Sequence, residues 1–458
     1  MVIVGFGSIA QAVLPLFFRH LEIRPDQVRI ISAHEDEEGI ARKFGVAYEV
    51  RHLTEENYRS VLEPCLNSGD FLVNLSVDVS SLALIDLCWQ RNARYLDTST
   101  EPWEGGYTDP SLPISERSNY ALRDRVLEYG LKRKEGPTAV IAHGANPGLI
   151  STFAKKALLD LARDNGVSAS PSSKLEWAQL ACSLGIKAIH IAERDTQNTH
   201  EYKIRDEFVN TWSVDGMISE SLQPAELGWG SHERHWPEDA ERHESGCGAA
   251  IYLKRPGAAT RVRSWTPLEG AYHGFLITHN ESISLADYFT IKDGAKVLYR
   301  PTVHYAYHPC DDAVLSLYEL SGNNWQPQSA KRILRDEICD GMDELGILLM
   351  GNAKGVYWYG SRLTIQEARQ LVPYNNATSL QVAAGVLAAF VWALRNPNAG
   401  IVEAEDIDHD FVLEICRPYL GELVGIYGDW TPLLNRNWPF GENMDTDDPW
   451  QFKNIRVM

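Results

Sequence analysis

The first ten residues place a short apolar strand directly before a glycine turn and the start of a helix. In the run Met1-Val-Ile-Val-Gly-Phe-Gly-Ser-Ile-Ala10, the small residues stand at Gly5, Gly7 and Ala10. The first glycine permits the turn, the second lets backbone approach a pyrophosphate, and Ala10 lets the helix close on the strand. Phosphates would meet the helix N-terminus. We therefore expect NAD or a close relative to bind at Gly5, Gly7, Ser8 and Ile9.

Strand and helix patterns continue to alternate over the first 150 residues. Helical patterns around 54–66, 80–91 and 117–132 separate short apolar runs. Strands that alternate with helices in this way form a doubly wound parallel sheet. The sequence thus predicts an α/β, Rossmann-type NAD-binding domain over residues 1–150. Its further strands are expected at 28–32, 71–76, 95–98 and 138–142.

Beyond Gly148 the pattern changes. A helix is expected from Leu149 to Ala162, and later segments alternate like antiparallel strands. This pattern predicts a mixed α+β domain over 151–375, where we place substrate binding. The segment 376–458 contains a helical pattern from Ser379 to Arg395 and an irregular tail from Gly421, and we expect it to pack back on the first domain. The strands of the mixed domain are expected at 187–192, 249–253 and 274–278.

Composition narrows the class of protein. Lys and Arg total 43 against 62 Asp and Glu, and the net charge of −19 disfavours nucleic acid and anionic membranes while attracting cations. Solubility alone would also explain this charge. The seven cysteines lack Cys-x-x-Cys spacing, which indicates reduced thiols, a cytoplasmic location and no zinc site. The apolar start lacks the basic leader of a signal peptide, and no later stretch is expected to span a bilayer.

The second strand ends without the acidic residue that usually binds the cofactor's ribose hydroxyls. Ser32 stands at that position. Glu35, Asp36, Glu37 and Glu38 follow at once, and their negative charge disfavours the 2′-phosphate of NADP. NAD is therefore the expected cofactor. The alternative is that the acidic run only caps or solvates a helix start.

Polar residues also end the strands expected at 71–76 and 95–98 and stand at the exit from the first domain. Doubly wound folds place ligand contacts at the carboxyl ends of their strands. We expect cofactor contacts at these positions, and the alternative for each is an ordinary turn or cap. The residues are Asn74, Ser76, Thr98, Ala145 and Asn146.

Four carboxylates stand in apolar or turn-rich segments that do not resemble open surface. They are Asp78, Glu101, Glu193 and Glu220, and the last follows closely after Trp212. A carboxylate in such a pocket pairs with ammonium, and an indole face attracts a cationic nitrogen by up to ~2 kcal/mol when desolvated. Each acid alone could be a structural ion pair or a cap. The set predicts a pocket for a cation.

Several longer strings carry a resemblance over nearly the whole chain. The sequence resembles bacterial homospermidine synthases, a NAD-containing branch of the saccharopine dehydrogenase-like group. The resemblance implies a Rossmann domain followed by a mixed-sheet domain and a homodimer. The strings are Val4-Gly-Phe-Gly-Ser-Ile9, Val73-Asn-Leu-Ser-Val-Asp78, Gly144-Ala-Asn-Pro-Gly148, His190-Ile-Ala-Glu-Arg-Asp-Thr196, Asn210-Thr-Trp-Ser-Val214, Gln223-Pro-Ala-Glu-Leu-Gly-Trp-Gly230, Thr278-His-Asn-Glu-Ser-Ile283 and Val303-His-Tyr-Ala-Tyr-His-Pro309.

The resemblance implies a redox-neutral transfer between polyamines. In the implied reaction, putrescine loses hydride to NAD, the imine sheds ammonia, a second amine condenses, and the new imine is reduced by the same NADH. The product is homospermidine. Spermidine in place of putrescine would release diaminopropane, and the sequence does not rank the two donors.

The resemblance also implies roles for individual residues. Trp212 would stack near the reacting nitrogen, with Glu193 and Glu220 close enough to steer ammonium or accept its proton. His279 is expected to shuttle protons because histidine titrates near the working pH; the alternative is a structural imidazole. The distal ammonium would be held by Asp78, Glu101 and, as a further candidate, Asp343.

Three alternatives accompany this interpretation. His304 and His308 could suggest a metal, but no third ligand has suitable spacing, so no metal is expected. A net dehydrogenase of the saccharopine or carboxynorspermidine type would need an arginine in the pocket for substrate carboxylates, and Arg194 and Arg263 are unplaced. A NAD-binding sensor without catalysis would not need the cluster of acids around Trp212.

Overall fold

The computed structural model describes residues 1–35, 37–133 and 135–457. These residues form two main sheets and the helices that cover them. The strands are β1 (Val2–Val4), β2 (Arg29–Ser32), β3 (Ala47–Val50), β4 (Phe71–Asn74), β5 (Arg94–Asp97), β6 (Ala139–Val140), β7 (Ala188–Asp195), β8 (Asn198–Thr199), β9 (Glu207–Asn210), β10 (Pro224–Gly228), β11 (Ala240–Arg242), β12 (Ala250–Pro256), β13 (Arg261–Thr266), β14 (Gly270–Phe275), β15 (Ile291–Asp293), β16 (Lys296–Tyr299), β17 (Thr302–His308), β18 (Ala330–Ile333), β19 (Ile338–Asp340), β20 (Met342–Met350), β21 (Val356–Thr364), β22 (Ile401–Val402) and β23 (Glu422–Gly428).

The α-helices connect the strands of the first sheet and cover both sheets. They are α1 (Ser8–His20), α2 (Glu38–Lys43), α3 (Tyr58–Leu62), α4 (Ser81–Arg91), α5 (Asn119–Leu131), α6 (Leu149–Asp164), α7 (Lys174–Ser183), α8 (Val214–Leu222), α9 (Asn280–Tyr288), α10 (Asp311–Gly322), α11 (Ile365–Leu371), α12 (Ala377–Arg395), α13 (His409–Cys416) and α14 (Phe452–Ile455).

The first sheet has seven parallel strands in the order β22-β6-β5-β4-β1-β2-β3. The expected doubly wound α/β architecture is therefore confirmed. In the register of this sheet, Val4 lies opposite both Ile31 and Asn74. The carboxyl ends of β1, β2 and β4 consequently meet at one edge, where the glycine turn after β1 begins.

Two strands of this sheet, the edge strands β3 and β22, were not predicted. The edge strand β3 is short and more exposed than its neighbours, so its residues lack the continuous apolar run that marks the buried strands. Its pairing with β2 places Arg51, just after β3, beside Ser32, whose carbonyl accepts the Arg51 amide. The edge of the cofactor half of the molecule is thus built by a strand that the pattern alone does not reveal.

The second sheet is mixed, as expected. Its order is β11-β12-β10-β17-β7-β20-β21-β23, with β13 and β14 attached to β17. The parallel pair β7 and β17 lies at its centre and places Glu193 opposite Tyr307. The strand expected at 274–278 instead ends at Phe275, because the chain turns into α9 with His279 as its N-terminal capping residue.

The C-terminal segment divides between the two sheets rather than packing only on the first domain. Helix α12 packs against α1, and β22 extends the first sheet beside β6. In contrast, β23 pairs with β21 in the second sheet, although Gly421 onward was expected to be irregular. Half-exposed edge strands such as β23 take their partner from the tertiary fold, which explains why the local pattern missed it.

Helix α12 also corrects the expectation that no later stretch could span a bilayer. Among the described residues, this helix alone is long and apolar enough for a membrane span by length and composition. Most of its side chains are buried inside the protein, against α1, α13 and β5. A helix that is apolar on nearly all sides is typical of the core of a large protein as well as of a membrane span.

Candidate functional site

A cavity of about 620 Å³ lies between the two sheets. One wall is the edge of the first sheet where β1, β2 and β4 end, and the opposite wall comes from the second domain. The cavity therefore joins the glycine turn and the predicted cation pocket in a single space. Of the predicted site residues, those that line it are Gly5, Gly7, Ser8, Ile9, Ser32, Ser76, Thr98, Glu101, Asn146, Glu193, Trp212, Glu220 and His279.

The glycine turn has the features that a pyrophosphate needs. Gly5 has a φ of +80°, and a Cβ there would lie 2.8 Å from the backbone of Ser76. A Cβ on Gly7 would meet no protein atom within 4 Å, so this glycine faces open space. Ser8 begins α1, and its buried hydroxyl has no hydrogen-bond partner among the described residues. The N-terminus of α1 thus offers unused donors toward the cavity.

The position of the missing ribose acid is occupied by a pair of side chains. The Ser32 hydroxyl donates to the Glu37 carboxylate at 3.2 Å, and both residues line the cavity. Asp36, which belongs to the same acidic run, lies outside the described residues. Glu37 therefore brings a carboxylate to the end of β2, five residues later in the chain than the usual position.

Two of the predicted cofactor residues lie behind the cavity wall. Asn74 is buried, and its Oδ1 accepts a hydrogen bond from the Ser76 hydroxyl at 2.6 Å. Ala145 is also buried and is not part of the lining, whereas its neighbour Asn146 is. Thr98 and Ser76 lie on the wall itself. Asn74 thus supports Ser76 rather than facing the cofactor side of the cavity.

Glu193 is buried at the centre of the cavity's second-domain wall. Its carboxylate accepts hydrogen bonds from the Asn146 amide, at 2.5 Å, and from the Tyr305 hydroxyl. Burial raises the pKa of Glu193 to about 7, although these two donors act in the opposite direction. A carboxyl group that titrates near neutral pH is suited to accept and return a proton.

The neighbours of His279 raise its pKa, whereas the sequence predicts that it titrates near the working pH. Its Nε2 lies 3.1 Å from the Glu220 carboxylate, and its Nδ1 lies 3.7 Å from Glu281. Burial alone would lower the pKa of His279, but the two carboxylates outweigh it and raise the pKa to about 10. Sequence spacing does not reveal that two acids face one imidazole.

Trp212 lies beside this pair, two residues before α8 begins. Its indole Nε1 donates to the Tyr307 hydroxyl at 3.1 Å, which fixes the plane of the ring. A Cβ on Gly216 would lie 2.9 Å from the indole, so the glycine leaves room for the ring over α8. One face of the cavity is consequently aromatic where a cationic nitrogen is expected.

The first domain contributes Glu101 to the opposite wall, and Asp78 lies next to it without lining the cavity. Glu101 is buried, accepts from the Ser99 hydroxyl at 2.9 Å, and has a pKa raised to about 8 by burial. Asp78 has a φ of 61°, and its backbone amide lies 3.5 Å from the Glu101 carboxylate. Burial, followed by Glu104 and Asp215, raises the pKa of Asp78. Burial is the largest cause of the raised pKa of both carboxyl groups.

Asp343 is fully buried and does not line the cavity. Its carboxylate accepts from the Thr378 hydroxyl at 2.8 Å, and Thr378 is part of the lining. Burial, together with the nearby Glu193 and Asp195, raises the pKa of Asp343 well above its ordinary value. Asp343 therefore stands behind Glu193, one layer away from a bound ligand.

Sequence reasoning missed Tyr305, which lines the cavity between Glu193 and His279. The residue lies inside Val303–Pro309, one of the strings that carried the resemblance, but the string does not show which side chains of β17 face the site. The cationic side chains on the cavity wall were also missed. Lys331 pairs with Asp215, Arg332 with Glu207, and Arg335 donates to Gln11 near the glycine turn.

The remaining candidates lie elsewhere. Arg194 pairs with Asp311 and Arg263 with Glu442, and neither lines the cavity. His304 stacks against His190 at 4.0 Å on the face of β17 opposite to Tyr305. Across residues 1–35, 37–133 and 135–457, no three His, Cys, Asp or Glu side chains are grouped in a way that could hold a metal ion.

Two family models match the chain: the saccharopine dehydrogenase NADP binding domain over residues 1–140 and the saccharopine dehydrogenase C-terminal domain over residues 144–429. The chain is 54% identical over 463 aligned positions to the homospermidine synthase of Blastochloris viridis, with 100% of this chain and 97% of that protein covered. The homospermidine synthase of Mesorhizobium japonicum is 48% identical over 465 positions, with 100% and 96% covered. The crystal structure of the homospermidine synthase of Legionella pneumophila in complex with NAD aligns with a TM-score of 0.94 at 53% identity, covering 100% of this chain and 97% of that one. The chain therefore belongs to the homospermidine synthase family and carries both saccharopine dehydrogenase domains.

Proposed function

We propose that this protein is a homospermidine synthase that transfers a 4-aminobutyl group from putrescine, or from spermidine, to putrescine and releases ammonia, or diaminopropane. The single observation that carries this proposal is the cavity itself. It joins a dinucleotide turn to Trp212 and to the acids Glu101, Glu193 and Glu220. A diamine with two cationic ends fits such a surface, and the relatives at 54% and 48% identity carry the same activity in their names.

NAD is the proposed cofactor, and the residues around the glycine turn fit it. The open space at Gly7 and the unpartnered Ser8 hydroxyl supply the close backbone approach and the donors that a pyrophosphate requires. When bound, NAD would accept a hydride from the first substrate and return it to the product imine. The related structure from Legionella pneumophila is a complex with NAD.

The pair formed by Ser32 and Glu37 is proposed to bind the ribose hydroxyls. A carboxylate accepts hydrogen bonds from both hydroxyls but repels a 2′-phosphate. Arg51, on the same wall, would favour a phosphate, but its guanidinium is engaged with Glu49 at 3.1 Å. This division of charge supports NAD over NADP, although the matching domain family is named for NADP.

The acids of the cavity are proposed to hold the diamine by its ammonium groups. A cation that enters beside Glu101 would favour the ionised form of this carboxyl group, because burial without a counter-charge raises its pKa. Trp212 would face the nitrogen at the reacting end. Asp78, at the Glu101 side of the cavity, and Asp343, behind Glu193, would add negative charge without direct contact.

Proton transfer is proposed to run through Glu193. Hydride can leave only from a carbon beside a neutral amine, so the bound ammonium must first lose a proton. Glu193, with a pKa of about 7, can accept it, while the His279 imidazolium paired with Glu220 can donate to the departing ammonia. This assignment gives the two groups distinct roles, one as base and one as acid.

The saccharopine-type dehydrogenase alternative requires a cation for a substrate carboxylate. Arg194 and Arg263 do not line the cavity, and Lys331, Arg332 and Arg335 are already engaged by other side chains. This arrangement favours an amine substrate.

The decisive experiment incubates the purified protein with putrescine as the sole substrate. We expect two putrescines to give one homospermidine and one ammonia, with no net NADH. A requirement for external NADH together with a keto acid or aldehyde would contradict the proposal. Mass spectrometry of the protein as purified should also detect carried-over NAD.

A homodimer in the cytoplasm is proposed for the working protein. The support is the family to which the chain belongs and the odd number of scattered cysteines, all free in the described chain. Light scattering coupled to size exclusion measures the assembly, and a monomeric mass with full activity would contradict it.

A further inference from the structure

Strand β17 carries two tyrosines, Tyr305 and Tyr307, whose hydroxyls end at different parts of the site. Because they are two residues apart, their side chains share one face of the strand, and their rings stack with centroids 5.0 Å apart and 10° between planes. Both rings are buried. The Tyr305 hydroxyl reaches Glu193, and the Tyr307 hydroxyl accepts the indole Nε1–H of Trp212 at 3.1 Å.

Tyr305 contacts both groups that are proposed to handle protons. Its hydroxyl donates to the Glu193 carboxylate and accepts from the Asn146 amide at 2.7 Å. Asn146 also donates to the same carboxylate, so the three side chains close a triangle of hydrogen bonds. The Tyr305 ring lies 4.4 Å from the His279 ring, at 49° between planes. A shift of Tyr305 would therefore move both the base and the acid.

We propose, on the basis of the aminobutyl transfer proposed above, that Tyr305 is a positioning residue that fixes the Glu193 carboxylate and the His279 ring for proton transfer, while Tyr307 fixes the plane of Trp212. The stack makes the two tyrosines one rigid unit on the central strand of the second sheet. Rigid support of this kind matters because catalytic groups lose efficiency when their geometry is loose.

The titratable groups around Glu193 predict how this role can be measured. His279 faces it from the start of α9, Asp343 from β20, Asp195 from its own strand, and Tyr307 from β17. Burial raises the pKa of Glu193, and the Tyr305 hydrogen bond is the largest influence that lowers it. Loss of this hydroxyl should therefore raise the pKa of Glu193 above about 7. A purely structural role for the ring would leave that pKa unchanged.

The test compares Tyr305→Phe with Tyr307→Phe, each purified with its bound cofactor, in the pH dependence of homospermidine formation from putrescine. Both variants keep the ring and its stack and lose one oxygen. For Tyr305→Phe we expect the acidic limb of the kcat profile to move upward by about one pH unit or more, the size expected for a lost hydrogen bond to a charged group. Activity at pH 7 should fall several-fold and recover at higher pH.

Tyr307→Phe serves as the matched control. It should leave the acidic limb in place and raise the KM for putrescine, because the freed indole of Trp212 holds the cationic nitrogen less well. Asn146→Ala, which removes the donor to both Tyr305 and Glu193, should shift the limb in the same direction as Tyr305→Phe.

Either of two results overturns the inference: an acidic limb that is unchanged in Tyr305→Phe, or one that moves equally in Tyr307→Phe. Failure of the proposed function itself has a different signature, since the unmodified protein would then form no homospermidine from putrescine.

Discussion

At the residue scale, burial and neighbouring charges shift the pKa values of three groups in the site, Glu193, Glu101 and His279. Burial raises the pKa of Glu193 to about 7 and that of Glu101 to about 8. His279 is buried as well, but the adjacent carboxylates raise its pKa to about 10. At neutral pH His279 is thus charged while Glu193 is partly protonated. The group that can switch near the working pH is the carboxyl, and not the imidazole that its residue type would suggest.

Glu220→Gln should separate these roles. Loss of the carboxylate removes one of the two negative charges that hold the proton on His279, so the pKa of His279 should fall. We expect turnover to drop by roughly 10²- to 10⁴-fold, the range for loss of general acid–base assistance. Steady-state kinetics measures the rate, and NMR titration measures the imidazole. Retained NAD shows that the fold survives; an unaltered rate would remove Glu220 from the mechanism.

Glu37→Ala should weaken the preference for NAD. The carboxylate that repels a 2′-phosphate is lost, while Ser32 and Arg51 remain on the same wall. We expect the ratio of NAD to NADP affinity to fall by about tenfold or more, which corresponds to about 1.4 kcal/mol. Fluorescence titration of both nucleotides gives the ratio. Glu38→Ala, at the first residue of α2, is the control, and an equal change there would assign the effect to general charge.

At the scale of elements, the turn between β1 and α1 contains two glycines that are needed for different structural reasons. Gly5 has a positive φ and sits against the Ser76 backbone, so the fold itself requires a glycine. Gly7 has an ordinary φ of −69° and faces open space. The sequence motif does not distinguish the two residues. Their surroundings show that the fold requires Gly5, whereas Gly7 leaves space for the cofactor.

Gly5→Ala and Gly7→Ala form a matched pair that tests this distinction. Gly5→Ala should lower the thermal midpoint, because its Cβ would lie 2.8 Å from backbone that cannot move aside. Gly7→Ala should keep the thermal midpoint of the cofactor-free protein but lose about tenfold or more in NAD affinity, about 1.4 kcal/mol. Calorimetry and nucleotide titration measure both variants. Equal loss of stability in the two would contradict the assignment of Gly7 to the cofactor.

At the scale of the whole molecule, the cavity depends on how the first domain is held against the second. Glu226 of β10 accepts the Asn119 amide at 2.9 Å, at the N-terminus of α5. One turn later, Arg123 of α5 pairs with Glu403 at 2.6 Å and with Asp287 of α9 at 3.2 Å. These contacts fix the spacing between the acids on the first-domain wall and those near His279.

Arg123→Met should be strongly destabilising. The arginine side chain is 4% exposed, and its removal leaves the largely buried Glu403 carboxylate without its cation, while Asp287 keeps only Lys174. We expect a loss of about 3–5 kcal/mol in the free energy of unfolding. Urea titration measures it. Arg59→Met breaks two ion pairs, with Asp86 and Glu63, in which the arginine side chain is 39% exposed, and should cost about 1 kcal/mol or less. Similar losses of unfolding free energy in both variants would contradict a special role of the Arg123 ion pairs in stability.

The sequence by itself determined the kind of molecule. A strand followed by Gly5, Gly7 and Ala10 is a local pattern, and local sterics and helix dipoles are enough to predict a dinucleotide turn and the doubly wound sheet around it. The acids and Trp212 likewise indicated a cation pocket, because burying unpaired carboxylates in apolar segments is costly unless a cation binds there.

Only the tertiary structure decided how these residues work together. Which side chains of β17 face Glu193 depends on strand register, and the pKa of His279 depends on acids from α8 and α9 that are distant in sequence. Electrostatic fields and contacts across a cavity are long-range properties that no local pattern contains. For the same reason the hydrogen bond between Ser32 and Glu37 could not be predicted, because it depends on how the chain after β2 folds back onto the edge of the sheet.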